Sequence, residues 1–208
     1  MGSAQALPLQ KDQVMSSLID DNRETKNNLS LSETIQRSLK ELKEKVVFAE
    51  SCTGGDIVAT LAKLPGISEN LCGSFVTYRA LSKQKWLGVD CRTIDKHTTE
   101  SEEVAREMAA GALRRTPEAS WALAIVGHFG PNAPEAKDGK VYICIMRRTA
   151  KGRFKIKEEV EHHLGVNERV PRQKLATEVC LTILGRTLMK RAARKEKVSD
   201  KLKAKVVA

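Results

Sequence analysis

The chain has 208 residues, 36 Lys and Arg against 26 Asp and Glu, and a formal charge of +10. That length suits one domain with tails and a substantial core, and no apolar stretch approaches the roughly 20 residues that span a bilayer. The polar N-terminus lacks a signal-peptide core, and Met1-Gly2 has Ala6 where a myristoylation motif wants Ser or Thr, so a soluble, cytoplasmic protein with no membrane partner is expected.

Residues 1–29 are polar and aperiodic and read as a disordered tail. Ser30 with Glu33 matches a capping box, and Ile35, Leu39 and Leu42 follow at helical spacing, so the ordered domain begins at 30. Lys45-Val46-Val47-Phe48-Ala49 reads as a strand, Ser51-Cys52-Thr53-Gly54-Gly55 as a tight turn, and the next stretch as a helix through Ile57, Val58, Leu61 and Leu64, stopped by Pro65-Gly66. Leu71 to Tyr78 forms a second strand, and Ala80 to Leu87 a short helix ended by Gly88. Thr99 with Glu102 offers another capping box, opening a helix that carries Val104, Ala105, Met108, Ala112 and Leu113 and ends before Pro117.

Trp121 to Val126 is almost uninterruptedly apolar, as a strand covered on both faces requires. Lys140 to Arg147 and Arg153 to Leu164 read as an antiparallel pair joined at Thr149-Ala150-Lys151-Gly152. A last helix puts Leu175, Val179, Ile183 and Leu184 on one face. The alternation predicts a three-layer α/β/α sandwich with a mixed, mostly parallel sheet over 30–189. A basic tail, 190–208, follows; its eight Lys and Arg against Glu196 and Asp200 supply +6 of the total charge. No aromatic is interleaved with these charges, so the tail reads as a solvated or frayed helix and nucleic acid is not an expected partner.

Cys52, Cys72, Cys91, Cys144 and Cys180 are scattered without metal-ligand spacing and read as reduced core thiols. His162-His163 has no second ligand cluster nearby, so neither a metal nor a cofactor is expected. Chemistry concentrates at Ser51, where a strand-turn-helix junction gathers backbone amides and a helix dipole around one hydroxyl. Such a serine can attack a carbonyl, with N–H groups among Cys52, Thr53, Gly54 and Gly55 meeting the oxyanion, or can simply cap the helix. Ligand crevices of open α/β sheets lie beyond the carboxyl ends of the strands. Parallel strands would therefore bring Ser51, Tyr78, Lys83 and Gly127-His128 to one rim.

The segments Glu50 to Gly55, Gly73 to Tyr78 with Lys83, Leu87-Gly88-Val89, Ser101 to Ala109, Gly130-Pro131 and Gly139 to Tyr142 together resemble the C-terminal domain of the CinA family. The resemblance covers about residues 33–188, and stand-alone members of that family are nicotinamide-nucleotide amidohydrolases. It implies deamidation of nicotinamide mononucleotide, a small-molecule substrate, with Ser51 as nucleophile, Lys83 as base and Tyr78 as hydrogen-bonding relay, without metal; it also implies a homo-oligomer. A lysine base must be neutral, and desolvation shifts its pKa in that direction.

The chain departs from that family in Val126-Gly127-His128-Phe129-Gly130-Pro131. The family has threonine where Val126 stands, a substrate-contacting position, and a small or apolar residue in place of His128. His128 either supplies replacement polarity or is a partly buried histidine bonded to backbone. Arg169 and Arg172 lie near the family's arginine segment, and which of them, if either, holds a substrate phosphate is open. Two rival readings are a diverged amidase for another small amide and a non-catalytic protein whose Gly54-Gly55 turn cradles a nucleotide phosphate.

Overall fold

The computed structural model of the protein describes residues 30–130 and 133–207, with side chains as far as Lys197. The predicted tail 1–29, Pro131-Asn132 and the side chains of the last basic residues lie outside it. Helix α1 (30–42) leads into strand β1 (Val46–Glu50). After it come α2 (Asp56–Ala62), β2 (Leu71–Val76), α3 (Ala80–Leu87), α4 (Cys91–His97), α5 (Glu102–Arg115) and β3 (Trp121–Gly127). The antiparallel hairpin β4 (Lys140–Arg148) and β5 (Phe154–His163) precedes α6 (Arg169–Val207).

The five strands form one sheet in the order β2-β1-β3-β4-β5. β1 is parallel to both β2 and β3, while the β3/β4 and β4/β5 ladders are antiparallel. Because the chain leaves β1 toward β2 and returns on its other side as β3, the strand order reverses at β1. Such a reversal opens a crevice at the carboxyl end of the strand.

Period-two alternation sorts the core. Val46, Phe48, Trp121, Leu123 and Ile125 face α1, α2 and α6, where Ile35, Leu39, Ile57, Leu61, Leu181 and Leu184 are buried. Val47, Ala49, Ala122, Ala124 and Val126 face the α5 side, with Val104, Ala105, Met108, Ala109 and Ala112. Small side chains on both partners let α5 lie close to the sheet. Gly111 extends this closeness to α3, since a Cβ there would stand 2.1 Å from the Leu87 carbonyl oxygen.

Four local expectations change. Helix α4 was not expected; it buries none of its own residues and so carries no apolar periodicity. Helix α5 is capped by Ser101, whose Oγ accepts from the Val104 amide, and not by Thr99. Helix α6 runs on through the basic segment, so the expected boundary between domain and tail at 189/190 falls inside one helix. Cys52, Cys144 and Cys180 are buried thiols as expected, whereas Cys72 is half-buried and Cys91, at the start of α4, is exposed. No helix among the described residues is long and apolar enough to cross a membrane.

Candidate active site

The turn after β1 is built around a carboxylate that the sequence reading passed over. Glu50, the last residue of β1, is fully buried. Its Oε2 accepts from Thr53 Oγ1 at 2.8 Å and from the Gly55 and Ile57 amides at 3.1 Å each. Its Oε1 accepts from the Val58 amide at 3.1 Å and from Ser74 Oγ of β2 at 2.9 Å. Five donors to one carboxylate compensate the loss of water. They also satisfy the free amides of the first turn of α2.

Two expectations about this turn are corrected. The Gly54 amide donates to the Ser51 carbonyl and the Gly55 amide to Glu50, so neither is available to an oxyanion or to a phosphate. Gly54 and Gly55 serve the turn through their backbone instead, with φ of 65° and 102°, where side chains are disfavoured. Ser51 does not cap α2, because the Glu50 carboxylate occupies that role.

Ser51 is buried at the carboxyl end of β1, and Lys83 reaches it from the first turn of α3. Lys83 Nζ lies 2.9 Å from Ser51 Oγ and donates to the Thr77 carbonyl at 2.9 Å. The lysine is 0% exposed. Burial lowers its pKa from the ordinary 10.5, with Glu100 and Cys52 opposing the shift. The Cys52 thiol beside them is pushed up to about 12, chiefly by burial, with the amides of Cys52 and Thr53 drawing it back. It is therefore a neutral packing group and not a thiolate.

Tyr78 is placed differently from the expected relay. It is 54% exposed and its hydroxyl accepts from the Arg169 guanidinium, while Ser51 and Lys83 meet directly. Tyr78 nevertheless lines the same cavity of about 180 Å³ as Ser51, Cys52, Glu100, His128 and Arg169. Gly127 belongs to that wall and has no room for a side chain, since its Cβ would lie 2.7 Å from the Lys140 carbonyl oxygen.

The departure at Val126 lies outside this site. Val126 is fully buried among the residues facing α5, and no wall of the cavity includes it. His128 does line the cavity. Its Nε2 is buried without a hydrogen-bond partner, 3.8 Å from Glu100 Oε2, while its backbone is bonded to Lys140 and Gly139. Glu100 was not singled out in the sequence, because one acid before a helix start is unremarkable until its neighbours are known.

The two arginines separate. Arg172 is buried and fully engaged: its Nη atoms donate to both Asp138 oxygens at 2.6 Å, and Nε to the Val166 carbonyl at 2.6 Å. That pairing holds the Asp138 carboxyl below its ordinary value. Arg169 is exposed, donates to the Phe129 carbonyl at 3.2 Å, and borders both the cavity and a second chamber of about 470 Å³. Among the described residues no three His, Cys, Asp or Glu side chains are grouped to hold a metal ion.

The family model of the CinA C-terminal domain matches residues 28–188. A CinA-like protein of Solibacter usitatus is 32% identical over 173 residues, 82% of this chain and 40% of the relative. One from Prochlorococcus marinus is 33% identical over 168 residues, 80% of this chain and 38% of the relative. The chain thus spans well under half the length of these relatives. A solved structure of the competence/damage inducible protein CihA from Agrobacterium tumefaciens has TM-score 0.70 and 29% identity, covering 77% of this chain and 95% of that one. A CinA superfamily protein from Escherichia coli has TM-score 0.68 and 27% identity, with 76% and 89% covered.

Proposed function

Because the chain belongs to the CinA C-terminal domain family, we propose that it is a serine amidohydrolase that deamidates nicotinamide mononucleotide to the nicotinic acid mononucleotide. The observation that carries this reading is the 2.9 Å contact between a buried lysine amine and a buried serine hydroxyl at the sheet's switch point. A serine hydroxyl needs a base to become a nucleophile. Neutral Lys83, anchored through Thr77, takes the Ser51 proton as Oγ attacks the carboxamide carbon. The amides of Cys52 and Thr53, which in the resting turn face the Cys52 sulfur, a weak acceptor, turn to the stronger oxyanion as it forms. The Lys83 ammonium then protonates the departing nitrogen, ammonia leaves an acyl-Ser51, and water hydrolyses that ester with Lys83 again as base.

The second chamber gives the rest of a nucleotide room beyond the reacting amide. Arg169, at the wall the two spaces share, meets its phosphate in this reading, since Arg172, which also lines that chamber, is committed to Asp138. A second reading, an amidase for another small amide, is favoured by the polar pair His128 and Glu100 in the cavity wall. Ammonia release from nicotinamide mononucleotide and a panel of small amides separates the two. Activity on the mononucleotide that disappears in Ser51→Ala, with fold intact by circular dichroism, supports the proposal. Turnover surviving in Ser51→Ala defeats the serine mechanism.

A further inference from the structure

Within the cavity that holds Ser51, one polar arrangement takes no part in the chemistry above. His128 Nε2 faces Glu100 Oε2 across 3.8 Å, too far for a direct hydrogen bond. The imidazole nitrogen has no partner, although a buried polar atom left unpaired costs about 1–3 kcal/mol. The Glu100 oxygen accepts from Thr99 Oγ1 at 2.6 Å, which fixes the carboxylate against the α5 approach while leaving it further lone pairs. Both side chains are mostly shielded, with 16% and 23% exposure.

The space has room for about six waters, so a carbonyl within attacking distance of Ser51 leaves its substituents close to every wall. A nitrogen about 2.9 Å from each of the two acceptor atoms would see them roughly 80° apart. The two hydrogens of a planar NH2 group diverge by about 120°, which bends each bond by some 20°, within the tolerated range. As the nitrogen becomes pyramidal on the way to ammonia its hydrogens close toward about 107°, and the fit improves. Contacts that strengthen along the reaction coordinate raise the rate and not merely the affinity.

We propose that Glu100 and His128 form a two-acceptor clamp for the leaving nitrogen, so that these two side chains select a primary carboxamide over N-alkyl amides and esters. One N–H donates to the Glu100 carboxylate and the other to His128 Nε2, which carries its own proton on Nδ1. An N-alkyl amide forfeits one of these bonds, an ester both. The clamp is formed by side chains of this chain's own cavity wall. It rests on the serine-lysine reading given above.

The test compares the carboxamide and N-methylcarboxamide of nicotinamide mononucleotide, by release of ammonia or methylamine, in the wild type, Glu100→Val and His128→Leu. Labelling of Ser51 by a fluorophosphonate, which has no leaving amine, is followed in parallel. The clamp requires the wild type to favour the primary amide by at least about 10-fold in kcat/KM, the low end for one hydrogen bond. Each substitution should shrink that preference toward unity, His128→Gln should restore part of it through its carbonyl oxygen, and Ser51 should label in every variant. Nitrogen-15 spectra of His128 should show a neutral ring with Nε2 unprotonated. An unchanged preference with Ser51 still labelled overturns the clamp alone. Failure of Ser51 to label in the wild type, or no turnover of any amide, overturns the serine-lysine reading and the clamp with it.

Discussion

At the scale of single residues, the role proposed for Lys83 as a base carries a stability cost. The unfolded lysine titrates near 10.5, and burial lowers that value in the folded protein. Between the two values the unfolded chain binds the extra proton, so stability rises with pH across that window and is reduced below it. Lys83→Met should therefore be stabilising relative to wild type at pH 7 and lose that advantage as pH approaches 10.5, as read from urea midpoints. Under the proposed mechanism the same titration governs turnover, so activity should climb as Lys83 loses its proton. Lys83→Ala should lose roughly 100- to 10,000-fold, the usual worth of a general base, and Lys83→Arg should not recover it, because guanidinium stays protonated. Position 126 behaves oppositely. Val126 packs in the α5-side core, so Val126→Thr should bring no gain in turnover and a loss of about 1–3 kcal/mol from a hydroxyl buried there without a partner.

Among the secondary-structure elements, the placement of α3 decides where Lys83 points. Gly111 lets α5 approach so closely that the end of α3 rests against it, with Arg114 Nη2 also donating to the Leu87 carbonyl at 3.3 Å. Gly111→Ala should force that contact apart, costing about 1–3 kcal/mol, or roughly 2–12 °C in melting temperature for a domain of this size. It should also lower turnover through Lys83, although it touches no substrate. Most elements were legible either because apolar residues recur at helical spacing, as in Ile35, Leu39 and Leu42, or because a short apolar run marks a strand covered on both faces, as in Trp121 to Val126. The parallel strands that bring Ser51 and Lys83 to one rim followed from the same reading. Helix α4 was not legible, since it buries no residue fully and rests only Ile94 partly on the core. Glu50 was not, since its five donors converge only in three dimensions. The partner of Tyr78 lies 91 residues away, beyond any local pattern.

The whole molecule joins the domain to its basic end without a break. Helix α6 continues from the rim of the site through the cationic segment, and its later turns still touch the body: Ala192 packs on the core and Lys195 Nζ donates to the Leu42 carbonyl at 3.1 Å. The boundary drawn at 190 therefore crosses a packed part of the helix. Removing 198–208 should leave melting temperature and amidase activity near wild type. Removing 191–208 should lower the melting temperature while also weakening retention on a heparin column, because 190–208 carries most of the excess positive charge. Equal stability of the two truncations would show that the turns from 191 to 197 contribute no net stability.

The turn that presents Ser51 is organised by an anion the chain supplies itself. Replacing Glu50 with alanine leaves a cleft the size of a small carboxylate, lined by Thr53, Ser74 and the amides of Gly55, Ile57 and Val58. Chemical rescue then becomes possible. Glu50→Ala should lose turnover because Ser51 is no longer held, and added formate should restore part of it in a saturable manner. Bulkier pivalate should not, and neither salt should stimulate the parent protein.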